Sequence, residues 1–201
     1  MSPPLGGPDQ LVDIATGAAR DAVTATDGSA LSSAFRAAFS PDGRAVLFGT
    51  ADPAITNAPG VAVLALKDLA TGAIRVVPDT EGAASLFSRP VWRPDGRAAL
   101  VSSPEDLTAT DTNRVGDVYE LQIGSLRLDP VSIDGVTRNA GASFNPAYAP
   151  DGRTVLFESG AWNLAGLTRD TVGDFVTGLF VSDRRDITFV ASTGVAFQGH
   201  G

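Results

Sequence analysis

Ser40-Pro41-Asp42-Gly43-Arg44-Ala45-Val46-Leu47-Phe48 occurs three times in this chain with little change. It returns as Arg93-Pro94-Asp95-Gly96-Arg97-Ala98-Ala99-Leu100-Val101 and as Ala149-Pro150-Asp151-Gly152-Arg153-Thr154-Val155-Leu156-Phe157. Self-similarity at a steady spacing of fifty-odd residues marks a repeat architecture. The tripeptide itself reads as a turn. Proline presets φ for the second position of a type I turn, aspartate tolerates the third and accepts local hydrogen bonds, and glycine takes the left-handed conformation that closes a hairpin. The run that follows, Ala45-Val46-Leu47-Phe48, is apolar on both alternating faces, so it is expected to be covered on both.

A second repeated hairpin runs out of phase with the first. Gln10-Leu11-Val12-Asp13-Ile14-Ala15-Thr16-Gly17 returns as Leu66-Lys67-Asp68-Leu69-Ala70-Thr71-Gly72, with degraded copies at Glu120-Leu121-Gln122-Ile123-Gly124 and near Val181-Ser182-Asp183. The aspartate can accept bonds from the turn backbone and the glycine can take positive φ. A polar link precedes each Pro-Asp-Gly: Thr26-Asp27-Gly28, Thr80-Glu81-Gly82 and Ile133-Asp134-Gly135. Aromatics align as well, Phe35, Phe87 and Phe144 at the start of a strand and Phe39, Trp92 and Tyr148 two residues before each proline.

One unit is therefore strand, Pro-Asp-Gly turn, strand, variable loop, strand, Thr-Gly turn, strand, which is within the range of propeller blades. No amphipathic helix of a dozen residues is evident, so the class is all-β, a partial β-propeller of about three to three and a half four-stranded antiparallel blades. The organisation follows: a flexible lead-in at 1–9, propeller repeats over 10–192, and a flexible tail at 193–201. Within 10–192 an orphan hairpin covers 10–25 and the units cover 26–78, 79–132 and 133–192. About fourteen strands result, whereas even a four-bladed closed ring needs about sixteen. A segment of a longer repeat protein is the expectation, with open sheet edges that invite self-association.

Hydrophobic residues make up 43% and charged residues 19%, a globular balance, and 22 Gly with 13 Pro imply many turns. A formal charge of −8 without a basic cluster argues against nucleic acid as a partner. The chain has no cysteine, which excludes disulfides and thiolate chemistry. The first residues lack the pattern of a signal peptide, and no apolar run approaches the ~20 residues of a spanning helix, so membrane insertion is not expected.

The Pro-Asp-Gly-Arg-x-x-Leu-Phe strands resemble the WD40-like, TolB-type (PD40) propeller repeat of bacterial envelope and secreted proteins and of some serine-peptidase propellers. Leu107-Thr108-Ala109-Thr110-Asp111-Thr112-Asn113-Arg114-Val115-Gly116-Asp117-Val118-Tyr119 is similar to a subgroup in which an Asn-Leu loop leads to Asp-x-Asn-x-x-x-Asp-Val-Phe/Tyr. Traces remain at Trp162-Asn163-Leu164 and Asp170-Thr171, while Asp52-Pro53-Ala54-Ile55-Thr56-Asn57 has largely lost the pattern. The resemblance implies a propeller and a periplasmic or secreted setting, and little about function, since propellers serve as scaffolds, binding platforms and enzyme gates alike.

Asp111, Asn113 and Asp117 form the one constellation with ligand-like spacing. Oxygen groups at positions one, three and seven of a short loop could supply part of a hard-cation shell, with calcium the best fit. Equally, the same residues can cap a turn through Asx hydrogen bonds ahead of Val118-Tyr119. Asp170 and Asp174 make a weaker second pair. Turn chemistry accounts for Asp42, Asp95 and Asp151, and cross-strand or turn pairing for Arg44, Arg97 and Arg153. Of the tryptophans and tyrosines, only Trp162 lies in a variable loop. The single histidine, His200, stands beside the end of the sequence, so no Ser-His-Asp set is expected on an ordered scaffold. The functional expectation is a non-catalytic repeat module binding a protein or a cell-surface ligand. The alternatives are a calcium-dependent binding module using the Asp111 loop and an accessory propeller domain of a hydrolase.

Overall fold

A computed structural model describes residues 10–12, 14–21, 23–57, 60–78, 80, 86, 88–132, 141–167 and 177–192. The lead-in 1–9, the tail 193–201 with His200, Asp13, Phe87, the Glu81-Gly82 and Ile133-Asp134-Gly135 links, and Asp170 and Asp174 lie outside the described residues. The chain divides into two compact units, Met1–Ala84 and Ser85–Gly201.

The first unit opens with the antiparallel pair β1 (Gln10–Val12) and β2 (Ala19–Asp21), joined across Thr16-Gly17. One four-stranded antiparallel sheet follows in chain order: β3 (Phe35–Phe39), β4 (Ala45–Thr50), β5 (Val63–Asp68) and β6 (Ile74–Val76). The second unit holds two sheets of the same kind. These are β7 (Val91–Trp92), β8 (Ala98–Ser103), β9 (Asp117–Gln122) and β10 (Arg127–Pro130), then β11 (Ser143–Tyr148), β12 (Val155–Ser159), β13 (Gly178–Ser182) and β14 (Ile187–Ser192). Helix is confined to α1 (Pro53–Thr56) and one 3-10 turn at Leu164–Gly166 among the described residues. The fold is all-β, a partial β-propeller of about three blades preceded by a hairpin of the third-and-fourth-strand type.

Local chemistry sets the turns as the sequence predicts. Each Pro-Asp-Gly joins the first strand of a sheet to the second, and Gly43, Gly96 and Gly152 have φ of 69, 71 and 64°. The turn aspartates accept from the backbone amides of Arg44 at 3.0 Å, Arg97 at 2.9 Å and Arg153 at 2.8 Å. At the Thr-Gly turn, Asp68 Oδ1 accepts from the Ala70 amide at 2.9 Å and the Thr71 amide at 2.8 Å. The degraded copies solve the same turn differently: Leu126 and Arg184, neither a glycine, take φ of 57 and 72°. A matching bulge recurs after Phe35 and Phe144, where Arg36 and Asn145 are left-handed.

In the first unit Val46, Phe48 and Ala65 pack with Ala37 of β3 and with Val23 and Leu31 from the segment leading into the sheet. Lys67, on β5, is buried and fastens that segment, its Nζ donating to the Thr24 carbonyl at 2.5 Å and to Thr24 Oγ1 at 2.7 Å. Burial lowers its pKa from the usual lysine value. The second unit's core joins its two sheets, with Leu100, Val118 and Val131 against Val155, Phe157 and Phe180. Phe157 stacks on Phe180 with centroids 5.8 Å apart, and Phe189 meets Phe180 edge-on at 5.4 Å.

Coverage of both faces is realised in β4 and β8, whose residues are buried with the single exception of half-buried Ala45. It is not realised in β12. There burial alternates, and Leu156 on the outward face is 36% exposed. The expectation fails for the last sheet because an apolar run records which faces can be covered, not which are.

Candidate functional site

Because each sheet is an antiparallel meander, its Pro-Asp-Gly turn and its third-to-fourth turn share one end, and the loop between second and third strands lies at the other. Between those strands lie 51–62, 104–116 and 160–177, of which 58–59 and 168–176 are outside the described residues. In the first, Asp52 caps α1 by accepting from Ala54 N at 2.8 Å, and holds Ser32 through that residue's amide at 2.6 Å. The second carries Asp111 and Asn113 and runs into Asp117 at the start of β9.

The structure brings these three residues together. Asn113 Nδ2 donates to Asp117 Oδ2 at 2.7 Å, and Asp117 Oδ1 accepts from Ser132 Oγ at 2.5 Å. Asn113 Oδ1 accepts from the Val115 amide at 2.9 Å, and Asp111 Oδ1 from the Asn113 amide at 3.4 Å, an Asx pattern. Asp111 Oδ2 accepts the hydroxyl proton of buried Tyr119, whose oxygen in turn accepts from Leu107 N at 3.2 Å. Burial holds the Asp111 carboxyl above the usual carboxylate range; burial and then the bond to Asp111 raise the Tyr119 phenol. Among the described residues no group of three or more His, Cys, Asp or Glu side chains is placed to hold a metal. For Asp111, Asn113 and Asp117 to act together as calcium ligands, the Tyr119 and Asn113–Asp117 bonds would have to be exchanged for the ion. A melting scan reads this directly, since a ligand of the folded state raises its stability. An unchanged Tm between chelator and millimolar calcium is the expected result, and a rise would assign the loop to the ion.

At the opposite end of the β7–β10 sheet, where it meets β11–β14, is a cluster that the motif reading missed. Glu120, on β9, is 2% exposed, and its carboxylate accepts from Arg184 Nε at 2.8 Å, from Arg184 Nη2, from Tyr148 Oη at 2.6 Å and from Gln122 Nε2 at 3.0 Å. Arg93 Nη1 stands 3.8 Å away, and Arg93 Nε donates to Asp95 Oδ1 at 2.8 Å. Burial and the Glu120 bond raise the Tyr148 phenol. Arg184 also donates to the Arg153 carbonyl, so one guanidinium links the β13–β14 turn, the Pro-Asp-Gly turn beside it and the preceding blade. A cleft of 410 Å³ lies between the turns Arg93-Pro94-Asp95 and Pro150-Asp151-Gly152-Arg153. One signal was available: Glu120 occupies the strand position that is Leu66 in the first unit and Val181 in the third. A carboxylate in an otherwise apolar column needs a partner. Trp162 is half-buried.

No family model and no curated protein sequence matches the chain. Solved structures do. An oligogalacturonate lyase in complex with manganese aligns with a TM-score of 0.58 at 13% identity, over 92% of this chain and 48% of the lyase. A prolyl endopeptidase aligns at 0.54 and 16% identity over 90% of this chain and 25% of that one. TolB from Acinetobacter baumannii aligns at 0.49 and 13% identity over 92% and 49%. This chain therefore spans half or less of the length of these structures. At such identities the likeness is one of fold, a partial β-propeller.

Proposed function

We propose that the chain is a non-catalytic propeller module, part of a longer repeat protein, that binds a protein or a cell-surface ligand in a bacterial envelope or secreted setting. The observation that carries this reading is the use made of its repeated polar residues. Asp42, Asp68, Asp95 and Asp151 hold their own turns, and Glu120 with Arg184 fastens one blade to the next. What differs from unit to unit is the loop between second and third strands, and variable loops on a fixed scaffold are where binding residues collect.

The test is a titration of immobilised chain with fractionated envelope proteins and surface glycans, beside turnover assays on peptide and oligogalacturonate substrates. Saturable binding that Arg114→Glu in the 104–116 loop abolishes, and that Arg153→Ala at the turn end leaves intact, is the expected result. Product release, or no saturable binding, would overturn the reading. An accessory propeller of a hydrolase is the second reading, favoured by the alignment with a prolyl endopeptidase, and it requires a catalytic domain in the same polypeptide.

A further inference from the structure

We propose that the cleft between the two Pro-Asp-Gly turns of the second unit, at 93–95 and 150–153, is a binding site for a small organic monocarboxylate, with Arg93 as its principal donor. Its volume of 410 Å³ suits a small molecule rather than a polymer or a protein surface. Arg93 exceeds what its own turn requires. The residue before the proline is Ser40 in the first repeat, Arg93 in the second and Ala149 in the third. Ser40 Oγ donates to Asp42 Oδ1 at 2.6 Å, the counterpart of the 2.8 Å bond from Arg93 Nε to Asp95, and the third turn forms with an alanine there. Nor does Glu120 require Arg93, because its carboxylate already takes two N–H groups of Arg184, while Arg93 Nη1 stops at 3.8 Å, beyond hydrogen-bond distance. The Arg93 side chain is only 20% exposed, yet among the described residues neither Nη1 nor Nη2 has a hydrogen-bond acceptor. Largely buried donors left open in this way draw an acceptor from the cleft they line.

The rest of the lining selects the ligand. Both of its carboxylates are engaged within the chain: Asp95 accepts from Arg93 Nε and the Arg97 amide, and Asp151 from the Arg153 and Thr154 amides and from Thr154 Oγ1. The Arg93 bond to Asp95, and the Arg153 and Thr154 amides at Asp151, hold both carboxyls below the usual carboxylate range, so both stay ionised and oppose a dianion. On the facing turn Arg153 brings a second guanidinium whose N–H groups have no acceptor among the described residues. A single carboxylate answers this arrangement, because its one charge is split over two oxygens that match the guanidinium fork. Pro94, Pro150 and Gly152 complete the walls without a polar side chain, which leaves space for a small organic body behind the carboxylate.

This site lies at the turn end of both sheets, away from the variable loops, and so goes beyond the module reading. The test uses the full chain at constant ionic strength, with N-acetylglycine as the probe, N-acetylglycinamide as its uncharged isostere and inorganic phosphate as the competing anion. Calorimetry measures affinity, and amide NMR spectra locate the contact. Expected are saturable binding of N-acetylglycine, none of the amide, and spectral changes confined to 93–97 and 150–154. Arg93→Ser, which keeps the donor that the first repeat uses at this position, is expected to bind at least about tenfold more weakly, as the loss of a charged hydrogen bond implies. Should that variant fail to fold, the spectral map of the parent decides by itself. No saturable binding, equal affinity in Arg93→Ser, changes centred on another part of the chain, or tighter binding of phosphate than of N-acetylglycine would each overturn the proposal. Binding at the variable loops is untouched by any of these outcomes, so the two readings fail separately.

Discussion

Replacing Arg184 with alanine is expected to lower the unfolding free energy by about 3 kcal/mol, because truncating one member of a buried ion pair strands the other's charge in the interior. Glu120 keeps Tyr148 and Gln122 as donors and Arg93 at 3.8 Å, which holds the loss at the lower end of the range for such pairs. The backbone adds a second component. Arg184 has φ of 72°, and a left-handed non-glycine residue costs on the order of 1 kcal/mol. Arg184→Gly removes the side chain and that strain together, so it is expected to be about 1 kcal/mol less damaging than Arg184→Ala. Arg153→Ala, at an exposed position across the turn, serves as the control and should stay within about 0.5 kcal/mol of the parent. Urea unfolding of the three variants decides. If Arg184→Ala loses no more than Arg153→Ala, the Glu120 carboxylate is hydrated and the pair does not fasten the blades.

Leu100→Ala is expected to cost about 3 kcal/mol and Leu156→Ala less than about 1 kcal/mol, although the two leucines occupy the same place in their repeats. Leu100 is 0% exposed and lies in the shared core of the second unit, so truncation removes transfer energy and leaves a cavity. Leu156 is 36% exposed, and solvent fills the space its side chain leaves. Paired denaturation curves measure the difference. Equal losses would mean that Leu156 is covered in solution, and a matched fall in protein association would identify the cover as a second chain.

The turns were legible from the sequence because their causes are local. Pro41-Asp42-Gly43 and Asp68 to Gly72 carry their own dihedral preferences and their own acceptors, so three blades and a leading hairpin could be counted. The Asp111 loop was legible only in part. Its spacing suggested either a cation shell or an Asx cap, and the groups that bond its carboxylates, the Tyr119 hydroxyl and Ser132 Oγ, belong to strand and link residues whose direction the spacing does not encode. Glu120 and Arg184 were not legible as a pair, being 64 residues apart and joined only because consecutive sheets face one another. Nor was Gly49 legible as a requirement: a Cβ there would lie 2.3 Å from the Phe35 ring, a contact set by the bulge in the neighbouring strand.

The carboxylate at position 120 also makes the order of the repeats matter. A blade set against the β7–β10 sheet must bring a guanidinium on its third-to-fourth turn, and the first unit, which has Leu69-Ala70-Thr71-Gly72 there, brings none. Were the units shuffled, Pro-Asp-Gly turns almost identical in sequence would still form, and the mismatch would appear only when Glu120 was shut against an apolar neighbour. A single ionised side chain thus acts as an address, telling otherwise interchangeable blades which of them comes next.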